Sequence, residues 1–193
     1  MKLFQSYYNG NNGSLQPGVF LDRDGVINKV IMRNGSPASP RTVGEFEWEE
    51  GMKDLIVKLK DHGFPLIIVT NQPDIARGKM SQETLDFMTG KIFSTLPVDD
   101  IIICPHDDMD DCGCRKPKPG MLQASAKVWG IDCSRSFIIG DSWKDMDAGK
   151  AAGCTTILLD RPYNQEAACD YRLAGLNESA ELIIKLKTQG SER

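Results

Sequence analysis

The chain has 193 residues, 40% of them hydrophobic and 26% charged, with a formal net charge of −4. This is the balance of a globular domain long enough for a full core. The acidic excess argues against a nucleic-acid surface built on phosphate neutralisation, and no apolar run approaches the about 20 residues of a membrane helix.

The start, MKLFQSYYNGNNGSLQPG, carries one lysine and no apolar stretch of a secretory signal. Residues 1–17 read as a flexible leader, residues 18–190 as a single domain, and the expected location is the cytoplasm. The first strand is VFL (19–21). Residues 51–62 place Met52, Leu55, Ile56 and Leu59 at helical spacing, with Gly63 after them. PLIIVT (65–70) is a wholly apolar strand of the kind covered on both faces. A helix starting near Ser81 carries Leu85, Met88, Ile92 and Leu96, and VDDIIIC (98–104) is the next strand. A helix over 119–129, the strand SFIIG (136–140), a short helix over 145–152 stopped by Gly153, the strand TTILL (155–159) and a helix bearing Leu182, Ile183 and Leu186 complete the order. Such alternation predicts an α/β fold, a three-layer Rossmann-like parallel sheet with helices on both faces.

Three strands run into polar residues: Asp22 and Asp24, then Thr70 and Asn71, then Asp141. Ligands of open parallel sheets bind outside the carboxyl ends of the strands, so these residues are expected to share a site. Asp22 and Asp24, two apart in an extended segment, face one side. Such hard oxygen donors suit Mg²⁺. Thr70 offers a hydroxyl, and Arg115 or Lys116 of CRKPKPG offers positive charge for a phosphoryl group. An aspartate nucleophile, a metal, a hydroxyl and a lysine make a phosphoryl-transfer site.

DRDGVIN, IIVTNQ, the lysine of RKP and IIGDSWKD resemble, in order, the four motifs of the haloacid dehalogenase-like phosphatases, across residues 19–153. TNQPDIARG and CPH…CGCRKPKPGM are similar to the branch that holds the heptose 1,7-bisphosphate 7-phosphatases and the histidinol-phosphate phosphatases. The resemblance implies Asp22 as nucleophile and Asp24 as the acid and base, protonated first with the help of a neighbouring anion. It implies Mg²⁺ on Asp22, the main-chain carbonyl of Asp24 and Asp141. Thr70 and Lys116 would hold the phosphoryl oxygens, and Asn71, Gln72 and Arg115 would meet the substrate. Arg23 and Arg77 read equally as solvated surface residues, and Asp145 as a metal support or a helix-end acid. Pro73-Asp74 stands where Ser-Gly is frequent in the heptose enzymes, and Ser142 where a lysine is common.

Cys104, His106, Cys112 and Cys114 give C-x-H-x₅-C-x-C, three thiolates and an imidazole that close a structural Zn²⁺ shell and fix the loop before Arg115 and Lys116. The intervals between motifs leave no room for a separate cap domain with its own core, so loop 28–48 and the zinc loop are expected to rim an open site. The expected function is removal of the 7-phosphate of D-glycero-D-manno-heptose 1,7-bisphosphate by a monomer. The alternatives are a histidinol-phosphate phosphatase and a non-catalytic zinc-stabilised binding domain.

Overall fold

The computed structural model describes residues 15–191, so most of the leader expected over 1–17 lies outside the described residues. Strand β1 (Val19–Leu21) runs at the centre of a sheet with β4 (Leu66–Asn71) and β5 (Asp100–Cys104) on one side. On its other side lie β6 (Phe137–Gly140), β7 (Thr155–Leu159) and β8 (Tyr171–Leu173). All neighbouring pairs in this six-stranded sheet are parallel, with Leu21 between Ile68 and Ile139.

Strand alternation decides which helix each side chain meets. Val19, Leu21, Leu66, Ile68, Phe137 and Ile139 point to one face and pack with Leu55 and Ile56 of α1 (Met52–Asp61). The same cluster takes Leu85 and Met88 of α2 (Gln82–Thr95) and Ala180 and Ile183 of α5 (Leu176–Ser191). Phe20, Ile67, Val69 and Ile138 point the other way, against Met121 and Leu122 of α3 (Gly120–Trp129) and Ala148 of α4 (Trp143–Ala152). The three layers expected from the sequence are therefore present. Full burial of one such side chain contributes about 1.5–3 kcal/mol, so the central strands are firmly anchored where they end in polar residues.

The structure departs from the sequence reading in three places. Within 28–48, taken as a loop, β2 (Ile31–Arg33) and β3 (Ser36–Ala38) form an antiparallel hairpin. Its turn is Asn34-Gly35, both at positive φ (52° and 78°), the pairing a two-residue hairpin turn demands. The strand expected to start at residue 98 starts at Asp100, because the Asp99 carboxylate is committed to Lys60 Nζ and the amide of Leu66. Strand β8 was not foreseen; three half-buried residues give too short a pattern to read.

Candidate active site

Chain order reverses around β1: β4 and β5 build outward on one side, β6 to β8 on the other. The carboxyl ends of β1, β4 and β6 thus open on a crevice at the switch point, a cleft of about 1000 Å³ lined by Asp22, Asp24, Asn71, Lys116 and Asp141 among others. Gly25 makes the first turn possible. Its φ is +85°, and a Cβ there would lie 2.1 Å from Asp141 Oδ2, so only glycine lets the β1 loop approach β6.

Lys116 is the hub of the buried charges. Its ammonium contacts Asp22 Oδ1 at 2.8 Å and Asp145 Oδ1 at 2.6 Å, and donates to the Val69 carbonyl at 2.7 Å. Burial alone would push its pKa down, but the charges of Asp145 and Asp22 hold it above its ordinary value. Carboxylate oxygens of Asp22, Asp141 and Asp145 lie within 4.8 Å of one another. Burial, then the charge of Asp145, raises the Asp22 carboxyl well above its ordinary range against the pull of Lys116. Burial and Asp145 push Asp141 up to about 7, opposed by the hydrogen bond that Tyr163 Oη donates to its Oδ2 at 2.6 Å. Three acids facing one lysine leave an excess negative charge, which a divalent cation would offset.

Asp145 serves two ends at once: besides Lys116, its Oδ2 accepts from the Ser142 amide (3.1 Å) and hydroxyl (2.8 Å), closing a capping box on α4. Both its oxygens are therefore engaged. By contrast, Asp22 Oδ2 and Asp141 Oδ1 accept from no described group. Free oxygens on one buried acid and one partly buried acid fit a hard cation.

Asp24 lives in the opposite environment. Arg23, 1% exposed, bonds both its oxygens. Asn28, Ser39 and Gln72 add donors at 2.9, 2.7 and 2.8 Å. Burial would raise the carboxyl, but Arg23 and these donors outweigh it and hold it below its ordinary value. This corrects two expectations: Arg23 is no surface residue, and the neighbouring anion does not keep Asp24 protonated here.

Other expected residues find tasks beneath the cleft. Gln72 is 0% exposed and does not line it. Its Nε2 bridges Asp24 and the Thr70 hydroxyl, so the side chain expected to meet the substrate is committed beneath the cleft. Thr70 is also fully buried, and its hydroxyl proton goes to no described acceptor. Asn71 lines the cleft while its amide clamps the main chain of Lys116 in both directions, at 2.9 and 3.0 Å.

Arg115 and Arg77 both line the cleft, Arg115 buried and Arg77 exposed, so the solvated reading of Arg77 stands beside its place at the cleft. Arg115 Nε meets Asp108 at 2.7 Å and its Nη1 the His106 carbonyl at 3.2 Å, while Arg77 pairs with Asp107. Sequence reasoning missed Ser39, Arg41 (2.6 Å from Asp74), Trp143 and Tyr163; Ser39, Arg41 and Tyr163 stand outside the motifs, where no spacing marks them, and Trp143 lies within IIGDSWKD at a position that was given no role.

The Cys104, His106, Cys112 and Cys114 donors gather with five sulfur–sulfur or sulfur–Nδ1 separations of 3.4–3.6 Å. Zn–S bonds of about 2.3 Å place tetrahedral ligands about 3.8 Å apart, so the set suits zinc with little adjustment. The cluster joins the end of β5 to the segment that carries Arg115 and Lys116.

The model of the HAD-hydrolase-like family matches residues 113–173. The D-glycero-beta-D-manno-heptose-1,7-bisphosphate 7-phosphatase of Escherichia coli K12 is 35% identical over 186 residues, covering 88% of this chain and 94% of that one. The chain belongs to the HAD-like phosphatase family. A Vibrio cholerae protein of the same name is 37% identical over 158 residues, covering 76% of this chain and 82% of its own. Among solved structures, D,D-heptose 1,7-bisphosphate phosphatase of B. bronchiseptica, complexed with magnesium and phosphate, superposes with a TM-score of 0.78 at 28% identity, covering 88% of this chain and 99% of that one. A putative HAD-like phosphatase of Mesorhizobium loti gives 0.74 at 29% identity, with 94% and 91% covered. For this HAD-like phosphatase, no helix among the described residues is long and apolar enough to cross a membrane.

Proposed function

We propose that the protein is a Mg²⁺-dependent phosphatase that removes the 7-phosphate of D-glycero-D-manno-heptose 1,7-bisphosphate. The observation that carries this reading is the group of Asp22, Asp141 and Asp145 around Lys116 in an open cleft, in a chain 35% identical to a 7-phosphatase over nearly its whole length. Asp22, Asp141 and the main-chain carbonyl of Asp24 would hold Mg²⁺, which supplies positive charge against the phosphoryl oxygens.

An Asp22 carboxylate oxygen attacks phosphorus, the bond to the sugar oxygen breaks, and an aspartyl-phosphate forms. The Lys116 ammonium binds a transferring oxygen and Asn71 keeps Lys116 in place; the Thr70 hydroxyl, buried beneath the cleft with its proton uncommitted, would donate to a second oxygen only where the phosphoryl group reaches that depth. Asp24 protonates the departing sugar oxygen. Because Arg23 holds Asp24 ionised in the free protein, that proton arrives with the substrate, a monoester with a second pKa of about 6. Asp24 then takes a proton from the water that attacks the aspartyl-phosphate, releasing phosphate and restoring Asp22. Arg115 contributes to substrate recognition.

Zinc on Cys104, His106, Cys112 and Cys114 would brace the segment before Arg115. Three cysteines gathered with a histidine as a metal set suit a reducing, cytoplasmic setting. Residues 18–190 would act as one domain and as a monomer. The test is phosphate release with Mg²⁺ from heptose 1,7-bisphosphate and from histidinol phosphate, with Asp22→Asn as control. A higher kcat/KM for the heptose supports the reading; preference for histidinol phosphate moves the enzyme to another substrate; turnover no better than the control ends the catalytic reading.

A further inference from the structure

Trp143 is 51% exposed and belongs to neither core cluster, yet it lines the same cleft as Asp22 and Lys116. Its indole N–H donates to no described group, and its ring meets one charge, Lys144 Nζ, 5.7 Å from the centroid. The other two tryptophans are employed: Trp48 stands edge-on to Phe46 at 5.0 Å, and Trp129 donates to Asp100 at 3.0 Å.

The Trp143 backbone is held firmly. It is the first residue of α4, directly after Ser142, whose amide and hydroxyl are both bonded to Asp145. Asp145 in turn holds Lys116. The indole is thus mounted on the frame that positions the phosphoryl-binding lysine. Leaving a large apolar ring half in water forgoes burial the fold would otherwise gain, and here the open half faces a cleft walled mainly by charged and polar side chains.

A ligand suited to such a wall has polar groups around its edge and a flat face of C–H bonds. A pyranose ring has that form: its C–H groups, slightly positive, are attracted by the negative face of the indole. We propose that Trp143 is a specificity-determining residue whose indole packs against the ring of the sugar substrate while Lys116 and Asp22 hold its phosphate. The inference rests on the sugar-phosphatase reading and extends it from the phosphate to the ring.

The experiment compares the whole enzyme with Trp143→Ala and Trp143→Phe, on heptose 1,7-bisphosphate and on acetyl phosphate, which has a phosphoryl group and no ring. Trp143→Ala is expected to raise KM for the heptose roughly tenfold with a much smaller change in kcat. The ratio of its kcat/KM for the sugar to that for acetyl phosphate should fall by about the same factor, and Trp143→Phe should restore most of it. As a binding readout, adding the sugar to Asp22→Asn protein should alter tryptophan emission, and the change should vanish in Asp22→Asn/Trp143→Phe. Equal losses on the two substrates, no rescue by phenylalanine, or no emission change would overturn the stacking role while leaving the sugar-phosphatase reading intact. A larger loss on histidinol phosphate than on the heptose would assign the indole to an imidazole instead and overturn it too. Wild type that cleaves acetyl phosphate but no sugar phosphate overturns both readings together.

Discussion

Replacing Arg23 by methionine removes a fully buried guanidinium while keeping most of its apolar stem. Removing one partner of a buried ion pair costs about 3–5 kcal/mol, because the other charge is left uncompensated. Two features of this site reduce that figure. Asp24 keeps its hydrogen bonds from Asn28, Ser39 and Gln72, and Arg23 Nη1 has no partner in the folded protein, so its burial is already penalised. The expected loss is therefore about 2–3 kcal/mol at pH 7, read from urea unfolding. Arg23→Met/Asp24→Asn, which removes the orphaned charge, should recover at least about 1 kcal/mol of it. Stability should also respond to pH. In the wild type the Asp24 carboxyl lies below its ordinary 3.8, so its contribution is present above that value and is lost as pH falls through the lower, folded pKa. Without Arg23 the folded carboxyl lies above the unfolded one, and protonation relieves it; the stability gap between the two proteins should narrow between pH 7 and pH 4. A loss below about 0.5 kcal/mol, a double variant no more stable than the single, or a gap that widens on acidification would refute the reasoning.

Other consequences can be checked separately. Stripping the Cys104–His106–Cys112–Cys114 metal should lower Tm by on the order of 10 °C and loosen the segment that carries Arg115 and Lys116, seen as faster amide exchange; metal analysis should find zinc at one ion per chain before treatment, and unchanged melting would rule out the structural role. Gly25→Ala puts a Cβ against Asp141 at a φ of +85°, so it should cost about 1–3 kcal/mol and abolish thermal stabilisation by Mg²⁺; a variant that melts and responds like the wild type would show that the β1 loop can move. Because Asp141 sits at about 7 and Asp22 is raised well above its ordinary value, Mg²⁺ binding at pH 7 should release protons, measured by calorimetry in buffers of different ionisation enthalpy; a heat independent of buffer would contradict the raised pKa values.

Much of the fold was legible because the apolar runs are long and alternate regularly. The wholly apolar LIIV and FII announced central strands, and the spacing of Leu55, Ile56 and Leu59 announced the helix beside them. The hairpin over 31–38 was missed although Asn34-Gly35 is a strong turn signal, since its strands are three residues each and show no two-sided pattern. At the site, Asp22, Asp24, Asp141, Asn71 and Lys116 were found because they end strands or belong to motifs, and the structure brings all of them to one cleft. Burial could not be read the same way. Nothing local distinguishes Arg23, which is enclosed, from Arg77, which faces the cleft, and Tyr163 reaches Asp141 from a loop after β7.

The pair of acids in DRD gains its meaning from this division. Asp22 and Asp24 leave the same strand end, but the fold gives them opposite surroundings. Asp22 shares one lysine with two further carboxylates and is pushed up; Asp24 has an arginine and three neutral donors to itself and is pushed down. Separating the affinities of two neighbouring acids for protons is how one site divides nucleophile from proton carrier. Here the separation is set for the free protein, with Asp22 waiting for a cation and Asp24 already ionised. The excess negative charge around Lys116 thus makes attack by Asp22 depend on the ion that offsets it. The Arg23 clamp makes Asp24 release a proton readily and accept one only while the substrate's phosphate is present. A chain that kept DRD but lost Arg23 or Lys116 would retain both carboxylates and lose the difference between them.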